Sequence, residues 1–140
     1  MQYFVNEEEL ISFIYGDVSS TLYSLYVLKV QGLNNAFERD IEFVEIPARD
    51  GDLIIDNSRK KSKEIRVEGF IDLEKSYIEN FEDLVEEIEK WLQSEVELKP
   101  LKFSNSYKTY IALCTGIEIN EVMEGLGEVI IKFKIQPARR

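Results

Sequence analysis

Histidine is absent from this chain, cysteine occurs once and proline three times in 140 residues. Without histidine, the commonest general base and the commonest metal ligand are both missing. The lone Cys114 cannot close an internal disulfide, so packing must hold the fold. In the run Tyr110-Ile111-Ala112-Leu113-Cys114-Thr115 it reads as a small core residue, because a nucleophile would need a base beside it. The seven glycines make no phosphate-cradling loop, and neither zinc spacing nor a nucleophile elbow is present. No apolar run approaches the roughly 18 residues of a membrane span. Met1 to Glu9 lacks a basic n-region and a cleavable apolar stretch, so it does not read as a secretory signal. Asp50-Gly51-Asp52 starts like a calcium loop but lacks the later ligands and the closing glutamate. Among 27 acidic residues, two neighbouring carboxylates say nothing about a glycosidase pair. The residues point away from an enzyme, a metal and a cofactor.

What is present suits one globular domain over residues 1–140, with 44% apolar residues to build a core. The net charge of −10 argues against nucleic acid as a partner, since phosphate binding needs a basic surface. That charge is segregated. Arg59, Lys60, Lys61, Lys63 and Arg66 crowd one segment against Glu64 alone. Glu79, Glu82, Asp83, Glu86, Glu87, Glu89, Glu95 and Glu97 crowd another against Lys90 alone. Such blocks are usually solvated faces, but in a ring-forming protein they can meet across subunits.

A helix is expected from Asn80, a good N-cap, with Glu82 and Asp83 in the first turn where the dipole favours acids. Phe81, Leu84, Val85, Ile88, Trp91 and Leu92 keep the i, i+3, i+4, i+7 spacing of one buried stripe. Burying six such side chains contributes on the order of 10 kcal/mol before entropy is subtracted, so a sheet beneath must hold the helix. Glu86 and Lys90 are spaced for an i, i+4 ion pair. The rest alternates as strands do. Ile65 and Val67 face one way, as do Ile111, Leu113, Ile117 and Ile119. Val129, Ile131, Phe133 and Ile135 follow, with Lys132 and Lys134 opposite. Gly125 and Gly127 suit a hairpin between the last two runs. Leu22 to Val30 reads as an earlier strand and Gln31 to Asn35 as a loop. Strands, one helix, then strands again predict a mainly-β α+β fold: an antiparallel sandwich with one packed amphipathic helix and a protruding hairpin.

Between two strand-like runs, Asp40–Glu45 and Lys63–Phe70, stands Ile46-Pro47-Ala48-Arg49-Asp50-Gly51, which is turn chemistry. This motif, the strand Ile65–Ile71, the helix ending Ile88–Leu92 and the closing Ile130–Pro137 occur in an order that resembles one family. It is the N-terminal domain of the siphophage distal tail proteins (Dit), phage tail components. Leu10 to Gly16 looks like that family's opening strand and loop. The family often has glycine where this chain has Ala48. Many members continue into a second domain, so the resemblance implies that a C-terminal domain is absent or removed here.

The resemblance implies a homo-hexameric ring at the virion tail tip, made in the bacterial cytoplasm during assembly or from a prophage. The ring would join the tail tube protein and tape measure protein to tail-associated lysin and baseplate proteins, with neither nucleic acid nor membrane as partner. Within it, the segment bearing Pro47, Arg49, Asp50, Gly51, Arg59, Lys60 and Lys61 is expected to form an arm against the neighbour. Its bases would face acids such as Glu86 and Glu87. The alternatives are another virion ring protein, of tail tube or baseplate, or a stand-alone carbohydrate-binding module. For the module, Tyr3, Tyr15, Tyr23, Tyr26, Tyr77, Tyr107 and Tyr110 would be the stacking candidates, although tyrosine in β-proteins is more often half-buried.

Overall fold

In the computed structural model, which describes residues 10–137, nine strands and one α-helix are set out. They are β1 (Phe13–Tyr15), β2 (Val18–Ser19), β3 (Leu25–Gln31), β4 (Arg39–Glu45), β5 (Asp52–Lys60) and β6 (Lys63–Asp72). Helix α1 (Phe81–Gln93) follows, then β7 (Lys99–Phe103), β8 (Tyr110–Met123) and β9 (Leu126–Ile135). Seven strands form one sheet in the order β2-β1-β7-β8-β9-β6-β3, antiparallel throughout, and β4 pairs with β5 alone. The large sheet meets itself: Ile11, just ahead of β1, bridges to Val27 on β3, whose N–H donates to the Ile11 carbonyl at 2.7 Å. The expected mainly-β class with one helix is present, and its two layers are opposite walls of one curled sheet.

Alternation explains which side chains enter the barrel. Ile65, Val67 and Ile71 of β6 and Val129, Ile131, Phe133 and Ile135 of β9 are all buried in one core. Leu84, Ile88, Trp91 and Leu92 of α1 join the same core, Phe81 packs half-buried against it, and Val85 is half-buried. The Asn80 side-chain oxygen caps the helix by accepting from the Glu82 N–H at 2.8 Å. Trp91 stacks on Phe13 and on Tyr23, with ring centres 5.4 and 5.1 Å apart, and its indole N–H donates to the Tyr15 carbonyl at 3.1 Å. Cys114 is a core residue as expected, and burial pushes its thiol up to about 11.

Three expectations change. Leu22 and Tyr23 are not strand: Ser20–Tyr23 forms a 3-10 turn, capped by the Ser19 hydroxyl and ended by Ser24 at φ 53. Lys90 pairs with Glu87 at 3.6 Å, an i, i+3 contact in place of the one to Glu86. The third concerns β8. Its register shifts between Cys114 and Gly116, so the even residues Ala112 and Cys114 point inward before the bulge and Ile117 and Ile119 pack inward after it. One extra residue flips the faces of a strand. Ile111, expected inside, is therefore exposed.

Gly69 holds β3 and β6 together where β3 also bulges, between Val27 and Lys29. A Cβ at Gly69 would lie 2.2 Å from the Tyr26 carbonyl oxygen, so only glycine lets the strands approach.

Candidate functional site

The turn motif sits at the tip of the β4–β5 hairpin, which projects from the barrel as an arm. The Arg49 N–H donates to the Ile46 carbonyl at 3.2 Å across Pro47 and Ala48. Proline in the second position suits its fixed φ, and the third position of such a type II turn requires positive φ. Ala48 adopts φ 64 there, a conformation that is costly for any residue with a Cβ. Gly51 supplies φ 80 at the start of β5, with open space around it. A strand at Asp52–Lys60 was not expected from the sequence, because Leu53-Ile54-Ile55 is an apolar triplet without alternation.

The ladder register sorts the arm into two faces. Phe43 lies opposite Ile54, flanked by the pairs Glu45–Asp52 and Ile41–Asp56. The other face carries Val44–Leu53 and Glu42–Ile55. Every residue of β5 is exposed, and Phe43 and Ile54 keep 62% and 60% of their surface in water. A two-stranded ribbon is marginally stable by itself. One that is apolar on both faces presents the kind of patch that marks an interaction surface. Sequence reasoning named the turn but missed these five apolar residues. The signal was there: two apolar clusters, Phe43-Val44 and Leu53-Ile54-Ile55, mirrored about a turn.

The basic residues lie at the root of the arm, away from its tip. Arg59 pairs with Asp40 of the same hairpin at 2.9 Å, and Asn57 donates to the same carboxylate at 3.2 Å. Here β5 bulges: Ser58 has φ 58 and its N–H donates to the Asp56 carboxylate at 2.8 Å. Lys60 and Lys61 are exposed, on the last residue of β5 and the turn after it. Glu86 lies exposed on α1, and Glu87 is already engaged with Lys90. The structure thus brings Pro47, Arg49, Asp50 and Gly51 together at the tip and Arg59, Lys60 and Lys61 at the root.

Beside that root runs a groove of about 1040 Å³ lined by Phe37, Leu98, Tyr107, Tyr110, Ile111 and Pro137, with Lys108 among them. A hollow of about 530 Å³ adjoins it through Phe37 and Pro137 and carries Arg39, Arg59 and Lys60. Lys63 anchors the near wall. Its ammonium donates to the Leu33 and Asn35 carbonyls at 2.7 and 2.8 Å and lies 4.6 Å from the Phe37 ring centre. Burial, with Lys108 nearby, lowers its pKa. Of the tyrosines, Tyr15 and Tyr23 are core and Tyr26 and Tyr110 half-buried, whereas Tyr77 and Tyr107 are exposed; Tyr3 lies outside the described residues. Burial raises the pKa of both Tyr15 and Tyr23. Among the described residues, no cluster of three or more histidine, cysteine or acidic residues could hold a metal ion. No described helix is long and apolar enough to cross a membrane.

Together these features define a small closed β-barrel domain with one helix and a projecting apolar arm. The chain belongs to the Sipho_tail family, described as the phage tail protein RIFT-related domain, whose model matches residues 8–135. It is a phage tail protein. Among solved structures it is similar to the Dit protein of phage SPP1, described as a paradigm of the hub adsorption apparatus of phages infecting Gram-positive bacteria. The likeness has a TM-score of 0.68 at 19% identity and covers 91% of this chain and 50% of that one, so this chain spans half the length of that protein. No curated protein sequence matches it.

Proposed function

We propose that this domain is a ring-forming hub of a siphophage tail tip, with its arm making the contact between neighbouring subunits. The observation that carries this reading is the arm itself: five large apolar side chains, Phe43, Val44, Leu53, Ile54 and Ile55, stand exposed on two strands that pair only with each other among the described residues. A head-to-tail contact of this kind closes into a ring when the rotation per subunit is right. The hub likeness and the resemblance to distal tail proteins support a hexameric ring. Such a ring would sit between the tail tube and tape measure protein on one side and the tail-associated lysin or baseplate proteins on the other. The role is mechanical and needs no catalysis.

The test replaces both Phe43 and Ile54 with Ser and compares sedimentation and negative-stain images with the parent chain across a concentration series. The expected result is a ring for the parent and a folded monomer for the variant, with unchanged thermal unfolding of the barrel. A variant that assembles as well as the parent would sink the reading.

A further inference from the structure

The groove beside the arm's root is an odd surface to leave in water. Tyr107 is 88% exposed, and Leu98 and Ile111 are 46% and 43% exposed. Its border is mainly cationic: Lys108 lies within the lining, Lys63 behind Phe37, and Arg39 and Lys60 in the adjoining hollow, where Asp56 is the one acid. The outer half of the arm has the opposite character. Glu42, Glu45, Asp50 and Asp52 stand there against Arg49 alone. On the Phe43–Ile54 face, Glu45 is directly across the ladder from Asp52. Like charges placed opposite one another in a sheet repel until a cation meets them. The arm cannot supply its own groove. Seven residues of β4 carry the tip about 20 Å from the root, and the paired ladder holds it there.

We infer that the groove receives the outer half of the arm from a second copy of this chain. Phe43 and Ile54 rest on Leu98, Tyr107, Ile111 and Pro137. Glu45 and Asp52 meet Lys108 and the cations at the root. The inference rests on the proposed role of the arm and names its acceptor. Donor and acceptor are different surfaces, so every copy gives one arm and receives one, as a ring requires. This places the neighbour's carboxylates, rather than Glu86 and Glu87 of α1, against the basic segment. It also gives the parity flip in β8 a consequence, because the bulge is what turns Ile111 outward into the groove.

The test mixes two differently tagged full-length chains, one carrying Ile54→Cys and the other Tyr107→Cys, under mild oxidation. The expected result is a mixed disulfide at least ten-fold more abundant than with Glu86→Cys as the second partner. Equal yields, or a preference for Glu86→Cys, overturn the inference. In parallel, Tyr107→Ser combined with Ile111→Ser should weaken self-association at least ten-fold with unchanged monomer melting. Lys108→Glu should weaken it several-fold, with recovery when Asp52→Lys is added. If the Phe43 and Ile54 variant dissociates the ring but the groove variant does not, the arm keeps its role and the groove loses its own. If neither variant matters, both readings fall. Protection of Tyr107→Cys from labelling by soluble peptidoglycan fragments, and not by self-association, would assign the groove to sugar and likewise overturn the inference.

Discussion

Two hairpins in this molecule obey the same local rules and end differently. β8–β9 turns at Glu124-Gly125, and β9 buries Val129, Ile131, Phe133 and Ile135 against β6, β8 and the helix. β4–β5 turns at Pro47-Ala48 and buries none of its residues. Each has large apolar residues in both strands. The difference is whether the chain itself brings a second layer to cover them. For β9 it does, because closure through Ile11 and Val27 and the plug of α1 surround it. For the arm no described element does, so its apolar surface is available to another molecule. Barrel residues should therefore govern unfolding of the monomer, and arm residues should govern assembly.

The largest break in that comparison should come from Trp91→Ala. It removes the ring stacked on Phe13 and Tyr23 and leaves the Tyr15 carbonyl without its donor. Urea unfolding should show a loss of about 3–5 kcal/mol. Alkali should separate the regions next. The Cys114 thiol is raised from an ordinary 9.0 to about 11, so the unfolded chain loses its proton first. Stability is therefore full below pH 9 and declines as pH rises through 11. Tyr15 and Tyr23, both raised by burial, extend the decline further. Cys114→Ala should flatten the first part of that slope in pH-dependent melting, whereas Phe43 and Ile54 variants should leave it alone.

Smaller effects sharpen the contrast. Asn80→Ala removes the cap on α1 and should cost about 1 kcal/mol, read by the same urea unfolding. Ala48→Gly should relieve the positive φ at the arm's tip by roughly 0.5–1 kcal/mol. Its readout is local: slower hydrogen exchange at the Arg49 N–H, with exchange in β6 and β9 unchanged. A change that spread into the barrel would mean that the two regions are coupled within one chain.

The helix was legible because its signals are local. Asn80, two acids in the first turn and six apolar residues at helical spacing all agree, and Asn80 caps the helix in the structure. The parity of β9 was legible for the same reason. Ile111 was not, because the bulge between Cys114 and Gly116 is set by pairing with β9 across the sheet. Leu22 and Tyr23 read as strand from aromatic and β-branched content, whereas the structure ends the Ser20–Tyr23 turn at Ser24 before β3 begins. At the arm, the turn residues were legible and the apolar ribbon was not, since Leu53-Ile54-Ile55 follows neither period. The groove joins Phe37, Leu98, Tyr107, Ile111 and Pro137 from four separate segments, so no spacing in the chain announces it.

By itself the sequence determined the class of fold, the one capped helix, the turn at Pro47 and the family resemblance, because backbone preference and periodicity act between near neighbours. Tertiary structure decided the closure of the barrel, the face that Ile111 presents and the pairing of Arg59 with Asp40. It also decided that Phe43 and Ile54 stay largely exposed among the described residues. Those outcomes depend on which distant strands meet, and burial is shared by residues far apart in the chain.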